Sequence, residues 1–286
     1  MSYYLLLLIA ILLEVGKNVV TDRFSKKLLN NETDVYQFNF WLYLGSFAVL
    51  LAVPDYRCSG FTLITGVMFA VAIWVNQHFY LKALKTGAFS FVTFIQGIGL
   101  LVPIVYGVFF WNESVRWYQV VLLAVLIVGM GLSLDLKRGD CGSNKWILLS
   151  LGAMLGLGAV GVLQGTHQMS DYRSEIISFI RVAFFVAALI QLAGRKLYGK
   201  KERATFRPDG KLLVLSLFTG AALGVVHILN LFLAGVIPKI IFFPVANGGL
   251  IFVTLIISRV FLKEICTKKQ WAGIIIGTIA LSLIGL

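Results

Sequence analysis

The sequence predicts an all-α membrane protein with ten transmembrane helices, built as two inverted five-helix repeats. Of its 286 residues, 59% are apolar and 13% are charged, and the mean hydropathy is +0.89. A soluble chain of this length could not carry that composition on a solvated surface. Apolar stretches of about 20 residues, the length that crosses a bilayer, recur with little interruption. Finally, two distant segments of the chain share one pattern of polar residues.

The first predicted helix, 3–21, opens with the apolar run from Tyr3 to Leu13. A signal peptide is the alternative, but no basic residue precedes the run and Glu14 follows it, so we predict a retained helix. None of the apolar stretches shows the alternation of a lipid-facing barrel strand. The other nine helices are predicted at 36–53, 60–83, 86–111, 116–136, 145–168, 174–195, 211–235, 239–262 and 270–286. Pro103, Pro238 and Pro244 lie in or at the edges of these helices and can bend them.

The repeated pattern is an amide followed by glycine, then a glutamate 17 positions after the amide and a glutamine six positions after the glutamate. It occurs as Gln96, Gly97, Glu113 and Gln119, and again 151 positions later as Asn247, Gly248, Glu264 and Gln270. This duplication predicts repeats at 1–138 and 139–286. Five helices per copy is an odd number, so the second copy would be inverted in the bilayer. Both glutamates fall at helix ends, where capping or a nearby base accounts for them.

Basic residues predict the orientation of the chain. Loops after the odd-numbered helices carry 18 lysines and arginines, whereas the opposite side carries four: Arg57, Arg116, Arg173 and Lys239. Cytoplasmic loops are the basic ones, so both termini are predicted outside. The formal charge of +12 is explained by these loops, and we expect no nucleic-acid partner.

Cys58, Cys141 and Cys266 have no metal-ligand or disulfide spacing, so neither a metal site nor a cofactor is expected.

Phe110-Trp111-Asn112-Glu113-Ser114 and Phe261-Leu262-Lys263-Glu264-Ile265, each followed by a glycine-containing helix, resemble a signature of the drug/metabolite transporter superfamily. The specific likeness is to its ten-helix branch of two EamA-type repeats, and Val15-Gly16-Lys17-Asn18 is similar to a motif of that branch's first helix. Ala10 to Val15, with Phe24-Ser25, also resembles the first helix of the small multidrug resistance transporters. That second resemblance implies that Glu14 binds proton and cationic substrate in turn.

Polar residues at membrane depth are costly and therefore candidates for function. Glu14 and Lys17 share a helix face, so a structural ion pair is the alternative to a binding role. For the histidines, a hydrogen bond between helices is the alternative to a role in proton coupling. Arg181 could bind a carboxylate or phosphate of a ligand; the alternatives are that it snorkels to the headgroups or pairs with Glu175. The predicted substrate-binding residues are Glu14, Lys17, Asn18, Trp74, Asn76, Gln77, His78, Gln96, Arg181, His227, Asn230 and Asn247.

This set of charges, amides and aromatic surface suits a small polar or zwitterionic solute such as an amino acid. We therefore expect a secondary transporter in a bacterial cytoplasmic membrane that works by alternating access, with protons as a candidate coupling ion. A drug exporter or a flippase of a lipid-linked carrier with the same fold is the alternative. No nucleotide-binding motif is present. An intramembrane enzyme would need a serine–histidine or paired-aspartate motif at membrane depth, but Ser90 and Ser178 are isolated, so no catalytic residues are predicted. Monomer and homodimer both fit the sequence.

Overall fold

The computed structural model describes residues 3–28, 32–86, 89–132, 144–202, 210–262 and 267–283. Within these ranges the chain forms α-helices, one 3-10 turn at Arg173–Glu175 and no strand, which confirms the all-α prediction. The helices are α1 (Tyr3–Leu28), α2 (Glu32–Leu51), α3 (Gly60–Thr86), α4 (Phe89–Ile98), α5 (Leu101–Phe110), α6 (Trp117–Leu132), α7 (Asn144–Gln168), α8 (Ile176–Glu202), α9 (Gly210–Val236), α10 (Lys239–Leu262) and α11 (Lys268–Leu283).

Five stretches of these helices are long and apolar enough to cross a membrane: Tyr3–Thr21, Gly60–Ala83, Trp146–Gln168, Arg173–Leu197 and Gly210–Val236. Shorter apolar stretches follow in α4–α5, α6, α10 and α11. Large apolar side chains point away from the bundle, among them Ile64, Leu148 and Val214, each more than 60% exposed. An apolar exterior of this extent suits lipid rather than water. The composition and the helices together support an integral membrane protein.

The predicted span 86–111 is divided by a turn between α4 and α5. Pro103 has no N–H to donate to the Gly99 carbonyl, which accepts instead from Val102 N at 3.1 Å. Gly99 also lies against α7, where an added Cβ would come within 2.6 Å of the Met154 carbonyl oxygen. The missing donor and the close approach of α7 explain the break. By contrast, α10 continues through Pro244.

Two large apolar clusters and a smaller one hold the described helices together. The large clusters lie among α2, α3, α7, α8 and α9 and among α1, α5, α6, α9, α10 and α11, and the small one lies where α3, α4 and α7 meet. Small residues let the helices approach closely, as is usual in membranes. Between α2 and α9, Ser46 Oγ donates to the Gly220 carbonyl at 2.7 Å, and a Cβ on Gly220 would overlap the Leu42 carbonyl. Between α6 and α11, Gly129 meets the backbone of Gly277. A central cavity lies between the two large clusters.

Candidate functional site

The central cavity has a volume of about 140 Å³, close to that of an engineered cavity of about 150 Å³ that accepts benzene. Its walls come from α1, α2, α3, α4, α5, α7, α9 and α10, so residues from both halves of the chain surround it. One wall is apolar, with Phe242, Phe243 and Leu250 of α10. The remainder is rich in amides and contains one pair of opposite charges. The cavity therefore suits a small solute with polar or charged groups.

Nine of the twelve residues predicted from the sequence line this cavity. They come from five helices: Glu14, Lys17 and Asn18 on α1, Asn76 and Gln77 on α3, Gln96 on α4, His227 and Asn230 on α9, and Asn247 on α10. The structure places the other three, Trp74, His78 and Arg181, outside the cavity lining.

Glu14 and Lys17 form an ion pair in the cavity wall. Lys17 Nζ donates to Glu14 Oε1 at 2.7 Å, and the two side chains are 24% exposed for Glu14 and 7% for Lys17. Positions three apart on a helix face the same way, which is why α1 brings the two groups together. Of the alternatives left open by the sequence, the structure shows the paired state. A ligand with its own ammonium and carboxylate could exchange with either partner.

Two amides of the cavity wall are oriented by backbone contacts. Asn76 Nδ2 donates to the Ala153 carbonyl of α7 at 2.8 Å, and Asn247 Nδ2 donates to the Phe243 carbonyl at 3.0 Å. Each amide uses one N–H on the protein, which fixes its orientation and leaves its second N–H and its side-chain oxygen for other partners. Amides fixed in this way can accept from an ammonium or hydroxyl group and donate to a carboxylate of a bound solute.

Two further polar groups give the cavity unused hydrogen-bonding capacity. His227 is held edge-on by Phe69 and Phe184, with ring centroids 5.7 and 5.3 Å away. Its Nδ1 and the Nε2 of Gln164 are buried and have no hydrogen-bond partner among the described residues. Buried polar atoms are normally paired, so these two mark the places where the wall can bond to something else.

The sequence-based site omitted Gln164, Tyr43 and Tyr80, all of which line the cavity. Gln164 carried a usable signal, since it is an amide at membrane depth in a predicted helix. Tyr43 carried no such signal. In the structure its hydroxyl donates to the Ile73 carbonyl at 3.2 Å and its ring packs against Phe184. In sequence such a tyrosine looks like an ordinary core residue.

His78 and Trp74 lie beside the cavity rather than in its wall. The His78 ring is 4.9 Å from Tyr36 and 5.8 Å from Trp74 between ring centroids, and His78 is almost fully buried. Both residues thus pack in an aromatic group between α2 and α3, outside the cavity lining.

Arg181 anchors the end of α2. Its guanidinium donates to the carbonyls of Leu50, Val53 and Asp55 at 2.7–2.9 Å, and it lies over the Tyr56 ring at 4.5 Å. Leu50 lies in the last turn of α2, and Val53 and Asp55 lie in the loop that follows, so Arg181 ties this turn and loop to α8 with charged donors. This arrangement replaces the predicted ligand-binding role with a structural one.

Replacing Arg181 by glutamine should therefore lower stability rather than solute affinity. The substitution removes three hydrogen bonds from a charged donor, each of which contributes about 1.5–3 kcal/mol, while the carbonyls keep weaker neutral donors, so we expect a loss of about 2–4 kcal/mol for this variant. Thermal unfolding in detergent measures it. Arg173→Gln is the matched control, because Arg173 lies exposed at the same end of the bundle, and it should unfold as the wild type does. Equal stability of both variants would contradict the anchoring role.

A second ion pair lies at the end of the bundle where α5 joins α6 and α9 joins α10, hereafter the Lys239 end. Lys239 Nζ is 3.1 Å from Glu113 Oε1. Glu113 thus sits at a helix end, as predicted, and pairs with a lysine 126 positions away. An exposed pair of Asp55 and Arg57, 3.2 Å apart, lies at the same end, where the hydrogen bond from Arg57 holds the pKa of the Asp55 carboxyl below its ordinary value. Glu264, the repeat partner of Glu113, lies outside the described residues.

No protein-family model matches this chain, and no curated protein matches it. Among solved structures, 28 chains match. One of them, described only as "Crystal structure of protein", superposes with a TM-score of 0.72 over 98% of this chain and 95% of its own, at 13% sequence identity. An identity this low shows a shared fold and nothing about function. Nearly the whole chain therefore has a fold that is also found in a solved structure.

Proposed function

We propose that this chain is a secondary transporter that moves a small polar or zwitterionic metabolite, such as an amino acid, by alternating access. The observation that carries the proposal is the central cavity, which holds the Glu14–Lys17 ion pair and is surrounded by polar residues from both halves of the chain. Charged groups inside a membrane protein usually mark a pathway for a substrate or an ion. Amides and unpaired polar atoms around the pair supply further contacts for a solute.

The proposal includes ten membrane spans in two inverted repeats, 1–138 and 139–286, with α4 and α5 counted as one broken span. Helix packing supports it, because the contacts occur in pairs that an inverted repeat would relate. The packing of α3 on α7 corresponds to that of α9 on α1, and α2 on α9 corresponds to α8 on α3. Contacts between α2 and α8 and between α6 and α11 join positions that are equivalent in the two repeats. Similar halves that can exchange conformations are the usual basis of alternating access.

Membership of the ten-helix branch of the drug/metabolite transporter superfamily is part of the same proposal, as is a bacterial cytoplasmic membrane with both termini outside. The short motifs around Glu113 and Glu264 and the distribution of basic loops support these points. Protons are the proposed coupling ion, through Glu14 or a histidine of the helices. The proposed partners are the solute and the bilayer, with no enzymatic activity.

Flux in proteoliposomes tests this function. After a thermal-stability screen against amino acids, amines, sugars and nucleotides, in which a ligand raises the unfolding temperature, the best ligands should exchange across the vesicle wall. Counterflow of a zwitterionic amino acid, faster with an imposed pH gradient and absent from protein-free vesicles, is the expected result. Stabilisation by none of the zwitterions, together with no flux for any of them, would contradict the proposal.

The apolar wall of Phe242, Phe243 and Leu250 favours a second candidate, an exporter of lipophilic cations. Aromatic faces attract cations, and Glu14 could balance their charge. The same thermal screen separates the two candidates, because lipophilic cations without a carboxylate would then stabilise the chain more than amino acids do.

A further inference from the structure

Three layers of contact close the cavity toward the Lys239 end, and all three use one face of α7. Gly161, Gly165 and Met169 are spaced four residues apart, and Met169 N donates to the Gly165 carbonyl at 2.9 Å, which continues the helical turn. Residues four apart lie one above the other on a helix. This face therefore runs from the cavity wall, where Gly161 lies, to the end of the bundle.

The first two layers on this face join the two halves of the chain directly, and the third joins them through the pairing of Lys239 with Glu113. At Gly161 an added Cβ would come within 2.7 Å of Pro103 and 3.1 Å of Phe243, and at Gly165 it would overlap the Trp111 indole. Met169 Sδ is 3.2 Å from Lys239 Nζ. Neither glycine leaves space beside it, so α5 and the Trp111 ring lie directly on α7. No solute can pass this face without separating these contacts.

The outermost layer is held by charge. Lys239 Nζ lies 3.1 Å from Glu113 Oε1, with side chains 6% exposed for Lys239 and 17% for Glu113, and 5.6 Å from the centroid of the Trp111 ring. Removing one partner of a buried pair leaves an uncompensated charge, whereas an exposed pair contributes little. Glu113 comes from the first half of the chain and Lys239 from the second, so separating the halves at this end requires breaking the pair.

The backbone between the two side chains is specialised. Asn112 has a φ of 52°, and among the described residues no other non-glycine residue has a positive φ. Trp111 N and Glu113 N both donate to the Gly107 carbonyl, at 3.0 and 3.2 Å. Asparagine tolerates this left-handed conformation better than most residues. The turn thus presents the indole and the carboxylate side by side, one to Gly165 and the other to Lys239.

The position aligned with Lys239 at the opposite end of the bundle carries no basic residue. With the offset of 151 that relates the repeats, Glu113 corresponds to Glu264, whereas Lys239 corresponds to Ala88. The two repeats therefore differ at this aligned position, which is basic only at the Lys239 end. Such a difference between otherwise similar halves favours one of the two open states.

We propose that the Glu113–Lys239 pair, with Trp111 seated on Gly165, is a latch that keeps the cavity closed at the Lys239 end in the absence of substrate. The inference rests on the proposed transport cycle. Opening toward the Lys239 end must break the ion pair and lift the indole from α7, whereas opening toward the other end leaves both in place. The resting protein therefore exposes its cavity to the side opposite Lys239, which is the cytoplasmic side if the loop charges orient the chain as predicted.

Cysteine labelling without substrate tests the latch. The parent carries Cys58→Ser, Cys141→Ser, Cys266→Ser and Ala246→Cys, the last in the cavity wall. A membrane-impermeant maleimide is added from the side of the Lys239 end. That side is identified with a separate variant that keeps Cys58, which is exposed in the 52–59 loop, and carries Cys141→Ser and Cys266→Ser. Labelling of the parent should be slow, and Glu113→Gln or Lys239→Met should accelerate it about tenfold or more. The double charge swap, Glu113→Lys with Lys239→Glu, should return it to the slow rate.

Two further variants complete the test. Asp55→Asn breaks the exposed pair with Arg57 at the same end and should leave the labelling rate unchanged. Gly165→Ala displaces the Trp111 ring without leaving a buried charge, so it should fold even where the charge variants do not, and it should accelerate labelling. Unchanged labelling in Gly165→Ala and in every charge variant that folds would overturn the latch. Because no substrate is present, absent flux with intact latch behaviour would reject only the transport proposal.

Discussion

Replacing Lys17 by methionine should abolish transport and destabilise the chain by about 3–5 kcal/mol. The substitution leaves the Glu14 carboxylate without the ammonium that now lies 2.7 Å away, and breaking a buried ion pair has this cost because one charge stays uncompensated. Glu14→Gln should have a similar effect through an unpaired lysine. If the pair also binds substrate, flux should fall by about 100-fold or more, since charged partners contribute strongly to recognition.

The double variant Glu14→Gln with Lys17→Met separates the two roles of the pair. Two neutral side chains of similar size remove the unpaired charge, so thermal stability should return close to that of the wild type. Flux should remain lost, because no charge is left to exchange with a zwitterion. Leu12→Ala, on the exposed side of the same helix, is the control and should transport normally. Normal transport by the double variant would show that the pair is structural only.

Much of the candidate site was predictable because its residues are anomalous one at a time. An amide or an ion at membrane depth stands out in any apolar stretch, and helical spacing then decides which of them share a face. Glu14 and Lys17 needed only the i, i+3 rule. Asn76, Gln96, His227 and Asn247 needed only the expectation that polar residues of a membrane helix face the interior of the bundle.

The remainder depended on partners that the sequence does not place together. Arg181 has the same appearance in sequence as Lys17, yet its partners are the carbonyls of a loop more than 120 positions away. For Glu113 the sequence indicated a helix end, whereas the choice of Lys239 depends on how α10 packs against α5. The break at Gly99 likewise needed Pro103 together with the approach of Met154. Proline alone does not predict a break in a helix of this chain, since α10 continues through Pro244.

Gly156→Ala should destabilise the chain by about 2–3 kcal/mol and also weaken solute binding. A Cβ at this position of α7 would lie 2.5 Å from the backbone N and 2.7 Å from the Cα of Asn76. Backbone atoms cannot rotate aside, so α3 and α7 would have to separate, at the usual cost of an overpacked core. The shift would strain the hydrogen bond from Asn76 to Ala153 and move this amide in the cavity wall. Thermal unfolding and ligand-induced stabilisation measure the two effects.

Two other glycine-to-alanine substitutions serve as comparisons for the stability of Gly156→Ala. At Gly152, one turn earlier on α7, an added Cβ would meet the Phe79 ring at 2.9 Å, and a side chain can rotate away, so Gly152→Ala should cost less than Gly156→Ala. At Gly16 nothing lies within 4 Å, and Gly16→Ala should be neutral or gain up to about 1 kcal/mol from helix propensity. The expected order of unfolding temperatures is therefore Gly16→Ala highest, then Gly152→Ala, then Gly156→Ala. Equal values for the two α7 variants would show that α3 yields freely at Asn76 and that the close approach does not fix the cavity wall.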